Sequence, residues 1–218
     1  ASLEALVRRG SLRHDPLVEQ LSEATHGAAR LVEQLGRLVL NRAPGRRRTT
    51  LNEAVLRMSP VLRALAPKEV TLELDLSPEL SVLYTSPVEL EQLVLNLTLN
   101  AIEATHERGS VRVGTRNVVV QEPREADCGR LSPGRYVSLE ITDRGSGIEP
   151  QHRRVVFEQG FSTKGLRGTG LSTVRRLAAQ RCGAVEVHSE PGDGTRFVVL
   201  LPVPGRESEV PPSGLRRR

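Results

Sequence analysis

Tryptophan is absent from this 218-residue chain, and three phenylalanines and two tyrosines supply all of its 2% aromatic content. A core must therefore be built from Leu, Val and Ala. No Lys/Arg–aromatic interleaving of the kind that stacks nucleobases is present, which argues against a nucleic-acid partner. Cysteine is nearly as scarce. Cys128 and Cys182 have neither metal-ligand spacing nor the density of a disulfide scaffold, so a reducing, cytoplasmic compartment is expected. Long apolar runs are missing too: nothing approaches the ~20 residues of a membrane-spanning helix, and no signal-peptide pattern is visible. Direct membrane contact is not expected of this chain, although a parent protein could be membrane-anchored. Lysine is limited to Lys68 and Lys164, so the formal net charge of +5 is carried by arginine. Part of it sits in the runs Arg46-Arg47-Arg48 and Arg216-Arg217-Arg218, which read as solvated linker and tail.

What is present is a hydrophobic fraction of 38% with 26% charge, ordinary for a protein that buries a core. Leu17, Leu21, Ala24, Ala28, Leu31, Leu35 and Leu38 alternate spacings of four and three, an a/d seam of about three heptads. With Gly10-Ser11 as a break and Asp15-Pro16 as a helix start, residues 1–42 read as part of a helical hairpin that completes a four-helix bundle by homodimerisation. The chain starts at Ala1 inside a helical pattern, so it is expected to be a piece of a longer protein. Residues 43–49 read as a linker, and 203–218, rich in Pro, Gly, Ser and Arg, as a disordered tail.

Between them, residues 50–202 alternate helix and strand periodicities. Thr50 and Glu53 form a capping box for a helix running to about Leu65. Strand patterns follow at Val70–Leu76, Ser110–Val120, Tyr136–Thr142, Ala184–Ser189 and Thr195–Leu201, with a surface loop over 121–134. Helices are expected at Gln151–Phe157 and Leu171–Arg181, the latter ended by Gly183. The sum is an α/β (α+β) two-layer sandwich, a mixed sheet with helices on one face.

One helix is unusual. Over Glu89–Ala104, Leu90, Leu93, Val94, Leu95, Leu97, Leu99, Ala101 and Ile102 cover most of the surface, while Gln92, Asn96, Asn100 and Glu103 share one narrow stripe. Buried amides need partners, so this stripe must face something polar. Two glycine-rich stretches supply candidates. Asp143-Arg144-Gly145-Ser146-Gly147-Ile148 follows a strand and offers an acceptor-only carboxylate beside closely approachable backbone. Lys164-Gly165-Leu166-Arg167-Gly168-Thr169-Gly170-Leu171 runs into a helix, where backbone N–H groups and a lysine make an anion cradle. It is neither a Walker loop nor a dinucleotide fingerprint.

Taken in order, these elements resemble the boxes of the catalytic, ATP-binding (GHKL, Bergerat-type) domain of bacterial sensor histidine kinases. Asn96-Leu97-Thr98-Leu99-Asn100-Ala101 resembles the asparagine box, and Asp143–Ile148 the first glycine box. Val156-Phe157-Glu158-Gln159-Gly160-Phe161-Ser162-Thr163-Lys164 resembles the phenylalanine box. Gly168-Thr169-Gly170-Leu171-Ser172 resembles the second glycine box, and Gly192–Phe197 the closing hairpin.

The resemblance implies that Asp143 binds the adenine amine, with Gly145, Gly147, Ile148 and Thr195 lining that pocket. It implies that Asn100 holds Mg²⁺ against the phosphates of ATP, with Asn96 and Glu103 near it. Thr163, Lys164 and the amides of Gly168, Thr169, Gly170 and Leu171 would bind phosphate, with 158–169 a mobile lid. Asn96, Asn100 and Lys164 would be the catalytic set. A cognate response regulator or receiver domain is the implied partner. Hydrolytic members of the group carry a glutamate where this chain has Asn96; an amide cannot take a proton from water, which favours transfer to histidine over hydrolysis. The second glycine box is shorter than in many members, which implies a shortened lid. His14-Asp15 resembles the phosphoacceptor pair but falls in the turn before the seam helix, so the acceptor is expected upstream of Ala1. A nucleotide-binding scaffold without catalysis and a GHKL-type ATPase are the alternatives.

Overall fold

The computed structural model describes residues 45–105, 109–153, 155–161 and 169–204. The seam helix, His14, the tail, and Thr163, Lys164 and Gly168 lie outside these residues. The elements, in order, are β1 (Arg47–Thr49), α1 (Leu51–Leu65), β2 (Val70–Leu76), β3 (Leu83–Thr85), α2 (Pro87–Ala104), β4 (Gly109–Val120), β5 (Arg124–Glu125), β6 (Arg130–Leu131), β7 (Gly134–Asp143), α3 (Gly170–Ala179), β8 (Ala184–Glu190) and β9 (Gly194–Pro202).

Five strands form the main sheet in the order β2-β4-β7-β9-β8. Only β2 and β4 run parallel; the other pairs are antiparallel. Strand alternation sends Leu72, Val111, Val113, Leu139, Ile141, Val187, Phe197 and Val199 to one face, all buried. That face carries the helices: α1 packs on β2 and β4, α2 on β4, β7 and β9, and α3 on β8 and β9. This is the expected two-layer sandwich. On the opposite face arginine and carboxylate alternate across strands, pairing Arg112 with Glu73 at 3.3 Å, Arg116 with Asp75 at 2.5 Å and Arg196 with Glu140 at 2.8 Å. A sheet with one solvated face tolerates such pairs where a doubly covered one would not.

Helix α2 is central and lies against α1 and α3. Glu91 near its start pairs with Arg57 of α1 at 3.0 Å, and Glu89 pairs with Arg181 beyond α3. Helix α1 starts as the sequence requires, Thr50 Oγ1 accepting from the Glu53 amide at 3.2 Å. Pro60 inside α1 cannot donate to the Leu56 carbonyl, and the Ser59 hydroxyl does so at 3.1 Å. Thr50→Ala should lower stability by about 1 kcal/mol, read as a shift of the urea midpoint at unchanged slope.

Four local expectations are corrected. Residues 151–153 and 155–157 form turns, with the His152 carbonyl accepting from both Val155 and Val156, rather than a regular helix. The last residues of the expected linker form β1, which pairs with β3. The segment 121–134 is no plain surface loop. Its short β5–β6 hairpin puts Leu131, fully buried, into a second apolar cluster with Val120, Tyr136, Ala184, Val198 and Leu200. Cys128 also bridges to Val185, and Asp127 Oδ2 accepts from the Val187 amide at 2.8 Å, so the free edge of β8 is covered. At the end of α3 the left-handed residue is Cys182 (φ 51°), not Gly183. Gly183 is required for a different reason: a Cβ there would lie 2.4 Å from the Leu200 carbonyl oxygen.

Candidate functional site

Asp143 ends β7 at the centre of the sheet and is 3% exposed. Its Oδ1 accepts from the Gly145 amide at 2.8 Å and from the Thr195 amide at 3.3 Å. Among the described residues, nothing donates to Oδ2. Burial raises the carboxyl above the usual aspartate range, and the two amide hydrogen bonds pull it part of the way back. An almost wholly buried aspartate thus keeps one carboxylate oxygen without a donor among the described residues, which suits an amino group of a ligand.

Three glycines allow the surrounding turn to be as tight as it is. A Cβ on Gly145 would lie 2.2 Å from the Ala104 carbonyl oxygen, at the end of α2. One on Gly147 would lie 2.1 Å from the Glu190 carbonyl oxygen, and one on Gly194 2.2 Å from that of Asp143. Hydrogen bonds follow the same approaches: Ser146 donates its amide to Ala104 O at 3.3 Å, and Gly192 donates to Ser146 O at 2.8 Å. The turn is therefore stitched both to the amide-bearing helix and to the β8–β9 hairpin. Ile148 is half-buried at its end, and Thr195, 5% exposed, sits in register opposite Asp143.

On α2, Asn96 is 6% exposed, Asn100 is half-buried and Glu103 is exposed in the last turn. Leu99 is half-buried as well, and by helical phase it falls on the polar stripe rather than on the apolar surface assigned to it above. The Asn100 amide reaches the start of α3: its Oδ1 lies 3.5 Å from where a Cβ on Gly170 would be. Thr169, Gly170 and Leu171 are half-buried around that helix start. Thr169 forms no side-chain cap, so the first-turn N–H groups of this ten-residue helix lack the usual hydroxyl acceptor.

The structure thus gathers Asn100, Gly170 and Leu171 at one end, and Asp143, Gly145, Gly147, Ile148 and Thr195 at the other, joined through the end of α2. Among the described residues, no group of three His, Cys, Asp or Glu is placed to hold a metal ion. A hard cation would need its oxygens from a ligand's phosphates together with the Asn100 carbonyl.

Residues 85–205 match the family described as histidine kinase-, DNA gyrase B- and HSP90-like ATPase. The chain belongs to this family. It is 31% identical over 197 residues to the sensor kinase CckA of Brucella abortus (strain 2308), covering 86% of this chain and 20% of that protein. Over 195 residues it is 30% identical to the sensory histidine kinase/phosphatase NtrB of Proteus hauseri, covering 88% of this chain and 55% of the relative. The chain therefore spans from a fifth to about half of the length of these curated relatives. A solved mycobacterial sensor histidine kinase, MprB, superposes with a TM-score of 0.57 at 25% identity, covering 72% of this chain and 97% of that one. No helix among the described residues is long and apolar enough to cross a membrane.

Within this ATPase fold, Phe157 is 2% exposed and packs edge-on against Phe197 of β9, ring centroids 6.2 Å apart. That contact anchors the segment leading to residue 161, where Phe161 lies against His152 at 5.4 Å. Arg153 adds a hydrogen bond to the Val187 carbonyl at 2.5 Å. Sequence reasoning left His152 without a role and placed Ser189 only as the last residue of a strand. Ser189 Oγ accepts from the Ile148 amide at 2.8 Å, contacts Gly194 O at 2.9 Å and lies 3.0 Å from Thr195 Oγ1. A signal existed. Val185 and Val187 set the inward phase of β8, and Ser189 is the polar residue on that phase. A cavity of about 700 Å³ lined by Cys128, Arg130, Tyr136, Arg175 and Cys182 lies elsewhere and contains none of the predicted site residues.

Proposed function

We propose that this chain is the catalytic region of a sensor histidine kinase, which binds ATP with Mg²⁺ and transfers its γ-phosphoryl group to a histidine of a helical dimerisation hairpin. The observation that carries the reading is Asp143, 3% exposed, with its Oδ1 held by the Gly145 and Thr195 amides and its Oδ2 taking no donor among the described residues, at one end of a helix whose Asn100 abuts the start of α3. Asp143 takes the exocyclic amine of adenine. Asn100, with Asn96 and Glu103 on the same stripe, offers oxygens toward the phosphate end, and the first-turn amides of α3 orient the phosphates. Lys164, Thr163 and Gly168 complete that cradle by sequence. Mg²⁺ supplies charge neutralisation when bound, and the residues here position the reactants.

Asn96 separates kinase from ATPase. It is buried at the place where a hydrolytic relative would hold a general base, and its amide accepts no proton from water. A histidine imidazole needs no such base. The parent's dimerisation through residues 1–42 and its response-regulator partner belong to the same proposal.

The test is to incubate the full chain with Mg²⁺ and γ-labelled ATP, with and without an added dimerisation hairpin carrying a histidine. Acid-labile label on the hairpin, with ATP turnover below about 0.01 s⁻¹ in its absence, is expected; the low end of ordinary enzymes is near 1 s⁻¹. Rapid steady hydrolysis with no labelled histidine would replace the kinase reading with the ATPase one. Binding without either reaction would leave a scaffold.

A further inference from the structure

We propose that Ser189 is a specificity-determining residue of the nucleotide site: it holds the Thr195 hydroxyl as a hydrogen-bond acceptor, so that a base with an amino group is selected over one with a carbonyl. The inference rests on the reading of the Asp143 pocket as the adenine site.

A serine hydroxyl has one proton and two lone pairs. The Ile148 amide fills one lone pair at 2.8 Å. The single proton goes to the Gly194 carbonyl at 2.9 Å, since a carbonyl can only accept. The third contact, with Thr195 Oγ1 at 3.0 Å, then has Thr195 as donor into the second lone pair. Ser189 is saturated, and the Thr195 proton is turned away from the pocket. What Thr195 Oγ1 presents beside Asp143 is lone pairs alone.

Asp143 and Thr195 are directly opposed across β7 and β9, and the Thr195 amide is itself bonded to Asp143 Oδ1. Two neighbouring acceptors therefore face the ligand, the carboxylate Oδ2 and the hydroxyl Oγ1. An exocyclic amine satisfies both. A carbonyl in its place leaves acceptor facing acceptor, and a site built on hydrogen bonds rejects such a mismatch strongly. Without the Ser189 hydroxyl, the Thr195 proton is free to rotate toward a carbonyl. Ser189 also fixes the Ile148 amide at the end of the glycine turn, so it acts on both walls of the pocket. It touches no reacting atom and works through Thr195.

The experiment titrates ATP and GTP, each with Mg²⁺, into the full chain and its Ser189→Ala and Ser189→Thr variants by calorimetry, with melting curves alongside. Wild type should favour ATP by about a hundredfold or more. In Ser189→Ala the ATP:GTP affinity ratio should contract by about tenfold or more, and Ser189→Thr, which keeps a hydroxyl, should restore most of it. A uniform loss of both affinities, with the ratio unmoved, would make Ser189 merely structural and overturn the proposal. A wild type that binds both nucleotides equally, or neither, overturns the adenine reading and this proposal with it. A discriminating wild type with an unmoved variant overturns this proposal alone.

Discussion

Asp143→Asn is expected to remove nucleotide binding while leaving the empty protein at least as stable as wild type at neutral pH. The two effects share one cause. Asparagine keeps an acceptor for the Gly145 and Thr195 amides, so the turn retains both hydrogen bonds that now fall on Oδ1. Its other terminus becomes an NH₂, which sets donor against donor where the adenine amine should sit. A buried mismatch of this kind costs about 1–3 kcal/mol or more, and ATP affinity should fall by about a hundredfold or beyond.

Stability moves the other way because the carboxyl is raised above its ordinary value, chiefly by burial. A raised folded-state value means the neutral form is the one the fold prefers. Its contribution is fully present below the unfolded value, near 4, and is lost as pH rises through the folded one. At pH 7 wild type therefore carries the cost of a desolvated charge that asparagine lacks. The melting temperature of Asp143→Asn should equal or exceed that of wild type at pH 7, and the gap should close as pH falls toward 4. ATP binding by wild type should weaken over the same interval, at higher pH than an ordinary carboxylate would dictate. Retention of ATP affinity within about threefold would sink the assignment of Asp143.

How much of this was legible in the chain depended on whether the signal was local. The cap at Thr50, strand β2 and the asparagine stripe of α2 are set by short-range pattern; the cap and β2 fall where expected, and α2 starts two residues earlier, at Pro87. Asp143 and its glycines could be picked out because a turn that admits backbone so closely needs that composition. The failures are non-local. Nothing within 121–134 announces that Leu131 will fill a cluster built from β4, β7, β8 and β9, or that Cys128 will cover the β8 edge. Gly183 is expected simply to end the helix, whereas the left-handed residue there is Cys182 and the glycine serves the close passage of β9. Ser189 was missed because its importance lies in three partners that only the folded hairpin assembles.

The glycines of the site allow that distinction between local and tertiary demands to be measured. Gly147 (φ 70°) and Gly192 (φ 83°) both adopt left-handed backbone, so alanine at either position meets a similar conformational cost, about 1–2 kcal/mol. Their surroundings differ completely. A Cβ at Gly192 would meet nothing within 4 Å, whereas one at Gly147 would lie 2.1 Å from Glu190 O, 2.8 Å from its carbonyl carbon and 3.1 Å from Pro191 Cα. These are backbone atoms of the β8–β9 hairpin and cannot rotate away.

Gly147→Ala must push the turn off the hairpin, straining the Gly192–Ser146 and Ile148–Ser189 hydrogen bonds, each 2.8 Å. With overpacking adding about 1–3 kcal/mol to the conformational cost, the loss should be about 2–5 kcal/mol, and ATP binding should fall by about a hundredfold. Gly192→Ala should lose only about 1 kcal/mol and keep ATP affinity within about threefold. Urea denaturation and ATP titration of the two variants side by side give the comparison. Equal losses would mean that backbone conformation alone governs the turn. A clearly larger loss in Gly147→Ala means that the hairpin carrying Thr195 is held against Asp143 by contact, and that the adenine wall is a tertiary product which neither segment forms by itself.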